Sequence, residues 1–329
     1  MRVPGTAADG AVALSVVIPT RASYDTLSRV LDGLSRQRLG HARYEVILAV
    51  DASEEDPAAV EAAIGKREYA VRRVMPDRPG ASANRNAGVR AAAAPLILFI
   101  DNDTVPRPDL LAQHLLWHER HPDEATGVLG LVQWAREVKV TPFMRWLDTG
   151  IQFDYANMVE GDVGWGRFYS ANVSLKRRFI ESVGPFDEER FPYGYEDTDW
   201  AYRASKLGFR LLYNPRAVVD HLRTMTLDFW KTRIRRVAAS EYQFCRVHPE
   251  MDPWFQPRFV VATKSPPARG RGVRLAPYVP PRFPWLGARV WRSVHSKYMQ
   301  ELAPHFLEAW DEAIASGGPA PKPDLAEWA

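Results

Sequence analysis

Two carboxylates one residue apart, Asp101-Asn102-Asp103, follow the apolar run Leu96 to Ile100. At a strand end such a pair projects so that both acids reach one cation, and hard cations such as Mg2+ or Mn2+ use one or two carboxylates together with substrate phosphates. The same tripeptide also suits a polar turn, because Asp and Asn favour turns. A second acidic pair, Glu196-Asp197, opens a helix-period segment, where acids complement the helix dipole and Thr198 can cap. His114 and His118 stand four apart, as in helical zinc sites, but His118-Glu119-Arg120-His121 is not the H-E-x-x-H pattern and no third ligand is suggested. These histidines are read as a solvated helix face without a function.

The elements that must hold these acids alternate in the manner of βαβ units. Leu14 to Ile18 reads as a buried strand that stops at Pro19-Thr20, and Leu27, Val30, Leu31 and Leu34 recur on one helical face. Tyr44 to Val50 is a second strand ending at Asp51; Pro57 to Lys66 is a short helix and Val71 to Met75 a third strand. After the Pro79-Gly80 break, Ser82 to Ala94 has strong helix propensity and leads into the strand before Asp101. Thr20, Arg21, Asp51, Asp101 and Asp103 therefore gather at the carboxyl edge of the strands, where open α/β sheets bind ligands. Further on, Asp109 to His121 reads as a helix, Gly127 to Trp134 and Phe168 to Leu175 as strands, and Asp197 to Leu207 as a helix. Leu211 to Tyr213 and Ala217 to Val219 read as short strands ending at His221, and Arg223 to Arg246 as a long helix.

Composition bounds the function classes. The chain has 329 residues, 46% hydrophobic and 25% charged, which is ordinary globular usage. A formal charge of +3 argues against a surface dedicated to nucleic acid. No run approaches the roughly 18 apolar residues of a membrane span, and Met1 to Ala13 lacks a secretory apolar core, so the cytoplasm is the expected compartment. The single cysteine, Cys245, excludes Cys-based zinc frameworks and reads as a small buried side chain. Lys264 to Tyr298 carries eight Lys or Arg, no Asp or Glu and six prolines, which prevent a regular helix until about Gly287.

In chain order the sequence shows V-V-I-P-T, V-D, R-N-x-G, D-x-D, S-A-N-x-S-L-K-R, G-P-F-D-E, Y-G-x-E-D-x-D and a strand ending in His. In that order the motifs resemble glycosyltransferase family 2, inverting enzymes of the GT-A fold, over about Leu14 to Leu222. The implied fold class is α/β: a Rossmann-like nucleotide-sugar-binding domain with a mostly parallel sheet and a C-terminal helical extension. The implied organisation is a flexible stretch 1–13, a catalytic domain 14–222 with halves 14–103 and 104–222, a helical extension 223–263, and a basic segment with a C-terminal helix over 264–329.

The resemblance implies a role for each matching residue. Pro19, Thr20, Arg21 and Asp51 line the nucleoside pocket, Asp51 accepting from the imide N–H of a pyrimidine. Arg85 and Asn86 approach the nucleotide or its phosphates, Asp101 and Asn102 lie near the ribose, and Asn172 near the donor phosphates or sugar. Asp103, with Asp101 and His221, ligates Mn2+ or Mg2+, and Asp197 removes the acceptor proton with Glu196 orienting it. Trp165, Tyr195 and Trp200 are candidate aromatic platforms for the acceptor.

The pattern departs from the family at Ala22, where Asn is common, and at Pro185, which replaces the second glycine of G-G-F-D. Gln243 to Val247 is similar to the Q-x-x-R-W of processive synthases but lacks the Trp. The expected activity is therefore a single addition from a nucleoside diphosphate sugar, UDP-linked above others, to a hydroxyl acceptor. Two alternatives stay open: a nucleotidyltransferase-like enzyme, against which Ile18 to Ala22 has no phosphate-binding glycine, and a non-catalytic binding or scaffold protein. The basic aromatic segment could make a peripheral contact at the inner membrane surface, and the sequence leaves a homodimer open.

Overall fold

The structure, a computed structural model, describes residues 11–53, 56–267, 270–279, 283 and 285–317. Residues 1–10 of the expected flexible N-terminus lie outside the described residues. So do Arg269, Pro280, Pro281, Arg282 and Pro284 of the basic segment, and the tail 318–329. The chain divides into two compact units, residues 1–138 with 157–223, and residues 139–156 with 224–329. Residues 139–156, which the sequence reading places inside one continuous 14–222 domain, thus pack with the second unit.

The first unit is built on a sheet whose opening half is parallel throughout. Strands β1 (Leu14–Thr20), β2 (Tyr44–Val50), β3 (Ala70–Val74) and β4 (Leu96–Ile100) lie in the order β3-β2-β1-β4. Every residue of β2 and β4 is buried, which is why those strands read as unbroken apolar runs instead of alternating ones. Helix α1 (Tyr24–Ser35) buries the predicted stripe Leu27, Val30, Leu31 and Leu34. Helix α2 (Pro57–Ile64) is capped by Asp56, whose side chain accepts from Ala59 N–H at 2.9 Å. Helix α3 (Ala81–Ala91) packs against β1, where a Cβ on Gly88 would collide with Val17.

The second half of the sheet adds β5 (Thr104–Pro106), β6 (Thr126–Trp134), β7 (Gly161–Asp162), β8 (Asn172–Lys176) and β9 (Arg210–His221). The order continues β4-β8-β6-β9-β5, with β6 parallel to β9 and the pairs β4–β8, β6–β8, β5–β9 and β7–β9 antiparallel. The two short strands predicted around Asn214-Pro215-Arg216 are one strand. The β6 partners jump from Asn214 to Val218, so the proline sits where the ladder skips and costs no hydrogen bond. Phe168, predicted to begin a strand, lies just after a single 3-10 turn, and its strand starts only at Asn172.

Helix α4 (Leu110–Arg120) carries His114 and His118 inward. His114 contacts Ser174 Oγ at 2.8 Å and Asn172 Oδ1 at 3.0 Å, and His118 contacts Ser174 Oγ at 2.9 Å. Burial pushes the His114 imidazole down to about 4 and the His118 imidazole to about 3, so both are neutral at pH 7. The solvated helix face expected there is instead a buried polar network that ties α4 to β8.

The remaining helices of the first unit are α6 (Arg177–Val183) and α7 (Glu196–Ser205). In the second unit, α5 (Pro142–Leu147), α8 (Leu227–Val247), α9 (Gln256–Lys264), α10 (Gly270–Leu275) and α11 (Leu286–Gly317) share a core that includes Phe143, Trp146, Trp230 and Tyr298. Glu241 is buried and caps α9, accepting from the N–H groups of Trp254, Phe255 and Gln256 at 2.8 to 3.0 Å. Cys245 is buried, and loss of solvent pushes its thiol up to about 12. Among the described residues no helix is long and apolar enough to cross a membrane.

Candidate active site

The carboxyl edge of the parallel strands collects the acids that the sequence singles out. Asp51 follows β2, and its N–H donates to Thr20 O at 2.8 Å, which locks the end of β2 to the end of β1. One carboxylate oxygen accepts from Ser53 N–H at 3.0 Å and from the Ser53 hydroxyl at 2.5 Å. The other accepts from Gly80 N–H at 2.8 Å, Asn84 Nδ2 at 3.2 Å and the Tyr193 hydroxyl at 2.9 Å. Burial acts to raise its pKa, but these donors outweigh it and hold Asp51 below the ordinary carboxylate value. Gly80 reaches this position only because it has no side chain: its φ is +135° and a Cβ would stand 3.0 Å from Pro192 O.

Tyr193, the first residue of Y-G-x-E-D-x-D, joins the site although the sequence gives it no role. Its hydroxyl spans from the loop before α7 to Asp51, 142 positions earlier. Burial and the Asp51 carboxylate push its pKa up, so the phenol remains a donor. The signal was present in Y-G-Y-E-D, but nothing local says which of its two tyrosines turns back to the strand edge.

The D-x-D turn is closed by Thr104, whose N–H donates to Asp101 O at 3.2 Å while its hydroxyl accepts from Asp101 N–H at 3.0 Å. Strand β5 then pairs Thr104 with His221, and β6 pairs Trp134 with the same histidine. These two registers bring His221 Nε2 to 3.4 Å from Asp103 Oδ2, with the Trp134 ring 5.1 Å from the imidazole centroid. Burial works to raise the Asp103 pKa, but the His221 hydrogen bond and charge and the nearby Arg223 hold it low. Asp101 goes the other way: burial raises it more than Arg85 lowers it.

The third group lies at the start of α7. Tyr195 caps the helix in the left-handed region, φ +62°, a conformation uncommon outside glycine and worth noting near a site. Arg85, on α3 and 5% exposed, donates through Nη1 to Glu196 Oε1 at 2.9 Å. The same guanidinium stands 3.9 Å from Asp197 and 3.9 Å from Asp101. Asp197 Oδ2 accepts from the Ser170 N–H at 3.0 Å and the Ser170 hydroxyl at 2.9 Å, whereas its Oδ1 is buried without a hydrogen-bond partner. Burial raises the Asp197 pKa to about 6, against the pull of Arg85 and with the push of Glu196.

Several expected contacts are redirected. Arg85 lies among Glu196, Asp197 and Asp101, at 2.9, 3.9 and 3.9 Å. Asn86 is consumed by the G-P-F-D-E loop, donating to Phe186 O at 2.9 Å and Glu188 at 2.8 Å and accepting from Phe186 N–H at 2.9 Å. Asn172 is fully buried and donates to Ala217 O at 2.9 Å and Leu131 O at 3.2 Å. Thr20 is likewise buried, its hydroxyl turned to Ile18 O, while Pro19 is half-buried and Arg21 exposed. Asn102 is anchored to Ala22 O at 3.2 Å.

Of the aromatic candidates, Trp200 is 0% exposed, packed among Phe168, Phe179, Phe186 and Phe209, with its indole N–H on Gly184 O at 3.0 Å. No sugar can reach its faces. Trp165, half-buried against Tyr202, and Tyr195 remain accessible. Ser170, the first residue of S-A-N, makes two bonds to Asp197 and is part of the site.

The family model described as glycosyltransferase like family 2 matches residues 11–240. The chain belongs to this family. Family relatives include a validoxylamine A glucosyltransferase of Streptomyces hygroscopicus subsp. jinggangensis, 28% identical over 225 residues, covering 58% of this chain and 50% of the relative. A pre-mycofactocin glycosyltransferase of Mycobacterium tuberculosis is 27% identical over 241 residues, covering 72% of this chain and 48% of the relative. The chain thus spans about half the length of these curated relatives. Among solved structures, a mannosyltransferase from Pyrobaculum calidifontis in complex with GDP-Man and Mn2+ matches with a TM-score of 0.51 at 17% identity, covering 97% of this chain and 81% of that one. The fold of this family 2 member is of the GT-A type, as its motif order implies.

For a divalent cation, the donors present are of the right kind: carboxylate oxygen and imidazole nitrogen suit Mn2+. Among the described residues no three His, Cys, Asp or Glu side chains are grouped to hold a metal ion. The structure gathers the pair Asp103 and His221 and turns Asp101 toward Arg85, so the three-ligand set expected from the sequence is not assembled. A two-ligand arrangement completed by substrate oxygens is the kind that Mg2+ and Mn2+ accept.

Proposed function

We propose that this chain transfers one sugar from a nucleoside diphosphate sugar, UDP-linked above others, to a hydroxyl acceptor with inversion at the anomeric carbon. The observation that carries the reading is the asymmetry of Asp197: one oxygen fixed by Ser170, the other buried and unpartnered, and a pKa of about 6. A base of that strength is ionised at neutral pH and still basic enough to accept a proton. The acceptor hydroxyl attacks the anomeric carbon, the bond to the diphosphate oxygen breaks, and the hydroxyl proton passes to Asp197 Oδ1.

Arg85, itself held by Glu196 at 2.9 Å, stands 3.9 Å from that same Oδ1 and supplies positive charge beside the base. Asp51 receives the imide N–H of the base in exchange for one of its present donors. Asp103 and His221 would hold the cation, which when bound supplies positive charge to the departing diphosphate. Nucleotide-sugar binding by relatives of the same fold supports the donor class, since the Pyrobaculum calidifontis mannosyltransferase carries GDP-Man and Mn2+.

Donor turnover with water as acceptor tests the reading without knowledge of the natural acceptor. Asp197→Asn should bind nucleotide as the parent does and release nucleoside diphosphate from the donor at least about a hundredfold more slowly. Unchanged release would remove Asp197 from the base role.

A further inference from the structure

One stretch of the second unit, from Arg274 to Lys297, brings cations and exposed aromatic rings close together in the chain. Leu275, Tyr278, Phe283 and Trp285 are 45%, 83%, 49% and 74% exposed. Around Tyr278 the backbone is anchored: Ala276 and Val279 are buried, and Trp291 donates its indole N–H to Val279 O at 2.8 Å. Aromatic rings presented to solvent from an anchored backbone are costly for a chain that meets only water.

Charge is divided along α11. Its acids begin at Glu301, and two of them, Glu308 and Glu312, are taken by Arg235. Its first half carries Arg289, Arg292 and Lys297 and no acid. Among the described residues no carboxylate lies within ion-pair distance of these three or of Arg274. Beside them α8, α10 and α11 enclose an open cavity of about 730 Å³, lined by Lys231, Arg274, Lys297 and His305 against one acid, Glu301. Among the described residues Lys231 alone of these has an ion-pair partner, Asp228 at 3.2 Å. Pro304 also lines the cavity; it cannot donate the helical hydrogen bond to Gln300, so α11 is locally open there.

We propose that this face docks on an anionic phospholipid bilayer, with Tyr278, Phe283 and Trp285 at headgroup level and Arg274, Arg289 and Lys297 against lipid phosphates. Tyr and Trp are the side chains that suit a boundary with one apolar and one wet side, and cations with no carboxylate partner among the described residues select an anionic surface over a neutral one. An acidic protein partner would use the charges but leaves the row of exposed rings without a role. The proposal stands apart from the transferase reading, because no residue of the carboxyl-edge site takes part in it.

The test is co-sedimentation of the full chain with vesicles of phosphatidylcholine alone and of phosphatidylcholine with about a third phosphatidylglycerol, at low and high salt. The parent should bind only the mixed vesicles and be released by salt. Arg289→Glu combined with Lys297→Glu, and separately Tyr278→Ser combined with Trp285→Ser, should each weaken binding at least about tenfold, since one cation near an anionic surface is worth roughly fivefold. Arg289, Tyr278 and Trp285 are exposed and Lys297 is half-buried at the cavity wall, and unchanged nucleotide binding and melting confirm that each variant is folded. Equal binding to neutral vesicles, no binding to either, or parental binding by both variants overturns the proposal. Saturable binding of inorganic phosphate without vesicle binding overturns it too, in favour of a small-anion site.

Discussion

Ser170 grips one oxygen of Asp197 with both its N–H and its hydroxyl, at 3.0 and 2.9 Å, and leaves the other oxygen buried and unpartnered. A carboxylate held this way cannot rotate freely, so the backbone entering β8 fixes where a proton can be accepted. The Asp197 pKa of about 6 then sets a pH dependence. Donor turnover should fall about tenfold per pH unit below 6 as the base is protonated, and level off above it. Ser170→Ala removes a hydrogen bond that favours the ionised form, so its midpoint should move up in pH. A profile flat from pH 5 to 8, roughly the span over which such a base titrates, would exclude Asp197.

The same shift makes a stability statement. Asp197 has a folded pKa raised from 3.8 to about 6, so the folded state holds this proton more tightly than the unfolded chain does. Its contribution is present in full below about pH 4 and is lost as pH rises through 6. Asp197→Asn should therefore melt no lower than the parent at neutral pH, with any gain vanishing in acid. A clear loss of melting temperature at pH 7.5, well above the raised pKa, would show that the charged form is a structural necessity.

Arg85 is surrounded by Glu196, Asp197 and Asp101 and 5% exposed. Arg85→Met leaves three acids without their common counter-charge, and denaturant unfolding should show a loss of about 3–5 kcal/mol. Arg85→Lys keeps the charge but loses the planar fork that serves several acids at once, so it should retain most stability and lose turnover. If Arg85 contacted donor phosphates instead, Arg85→Lys would weaken nucleotide affinity, and that result would reverse the assignment.

Tyr193 and the nucleoside base need the same Asp51 oxygen. Breaking the Tyr193 hydrogen bond, 2.9 Å long, costs about 1 kcal/mol net. Tyr193→Phe removes that cost in advance and should tighten UDP binding several-fold by calorimetry. Weaker binding would mean that the phenol contacts the nucleotide instead of competing with it.

Trp200 fills the centre of an aromatic cluster. Trp200→Ala should cost about 3–5 kcal/mol in unfolding, whereas Trp165→Ala, at a half-buried position, should cost far less. Equal small losses at both would contradict the packing.

Much of this was legible beforehand because buried parallel strands write themselves as apolar runs: the bounds of β2 and β4 match the predicted ones residue for residue. The acids at their ends followed from the same runs. Strand β5 could not be read, since three residues carry no period, yet its pairing of Thr104 with His221 is what brings the histidine to Asp103. Asn86 and Asn172 were legible as special but not as structural, because an amide meets bases and backbone carbonyls with the same atoms. Trp200 reads as a ring at the acceptor side until four phenylalanines from distant segments close over it. Arg85 suits phosphates by its chemistry, and only the fold shows the three carboxylates gathered around it.

The most direct test of the account is calorimetric binding of UDP, TDP, GDP and ADP, each with Mn2+ and again with chelator. The account predicts tight binding of a pyrimidine diphosphate that collapses on chelation and in Asp103→Ala, and that weakens for pyrimidines above purines in Asp51→Asn. No nucleotide binding in either condition would contradict it.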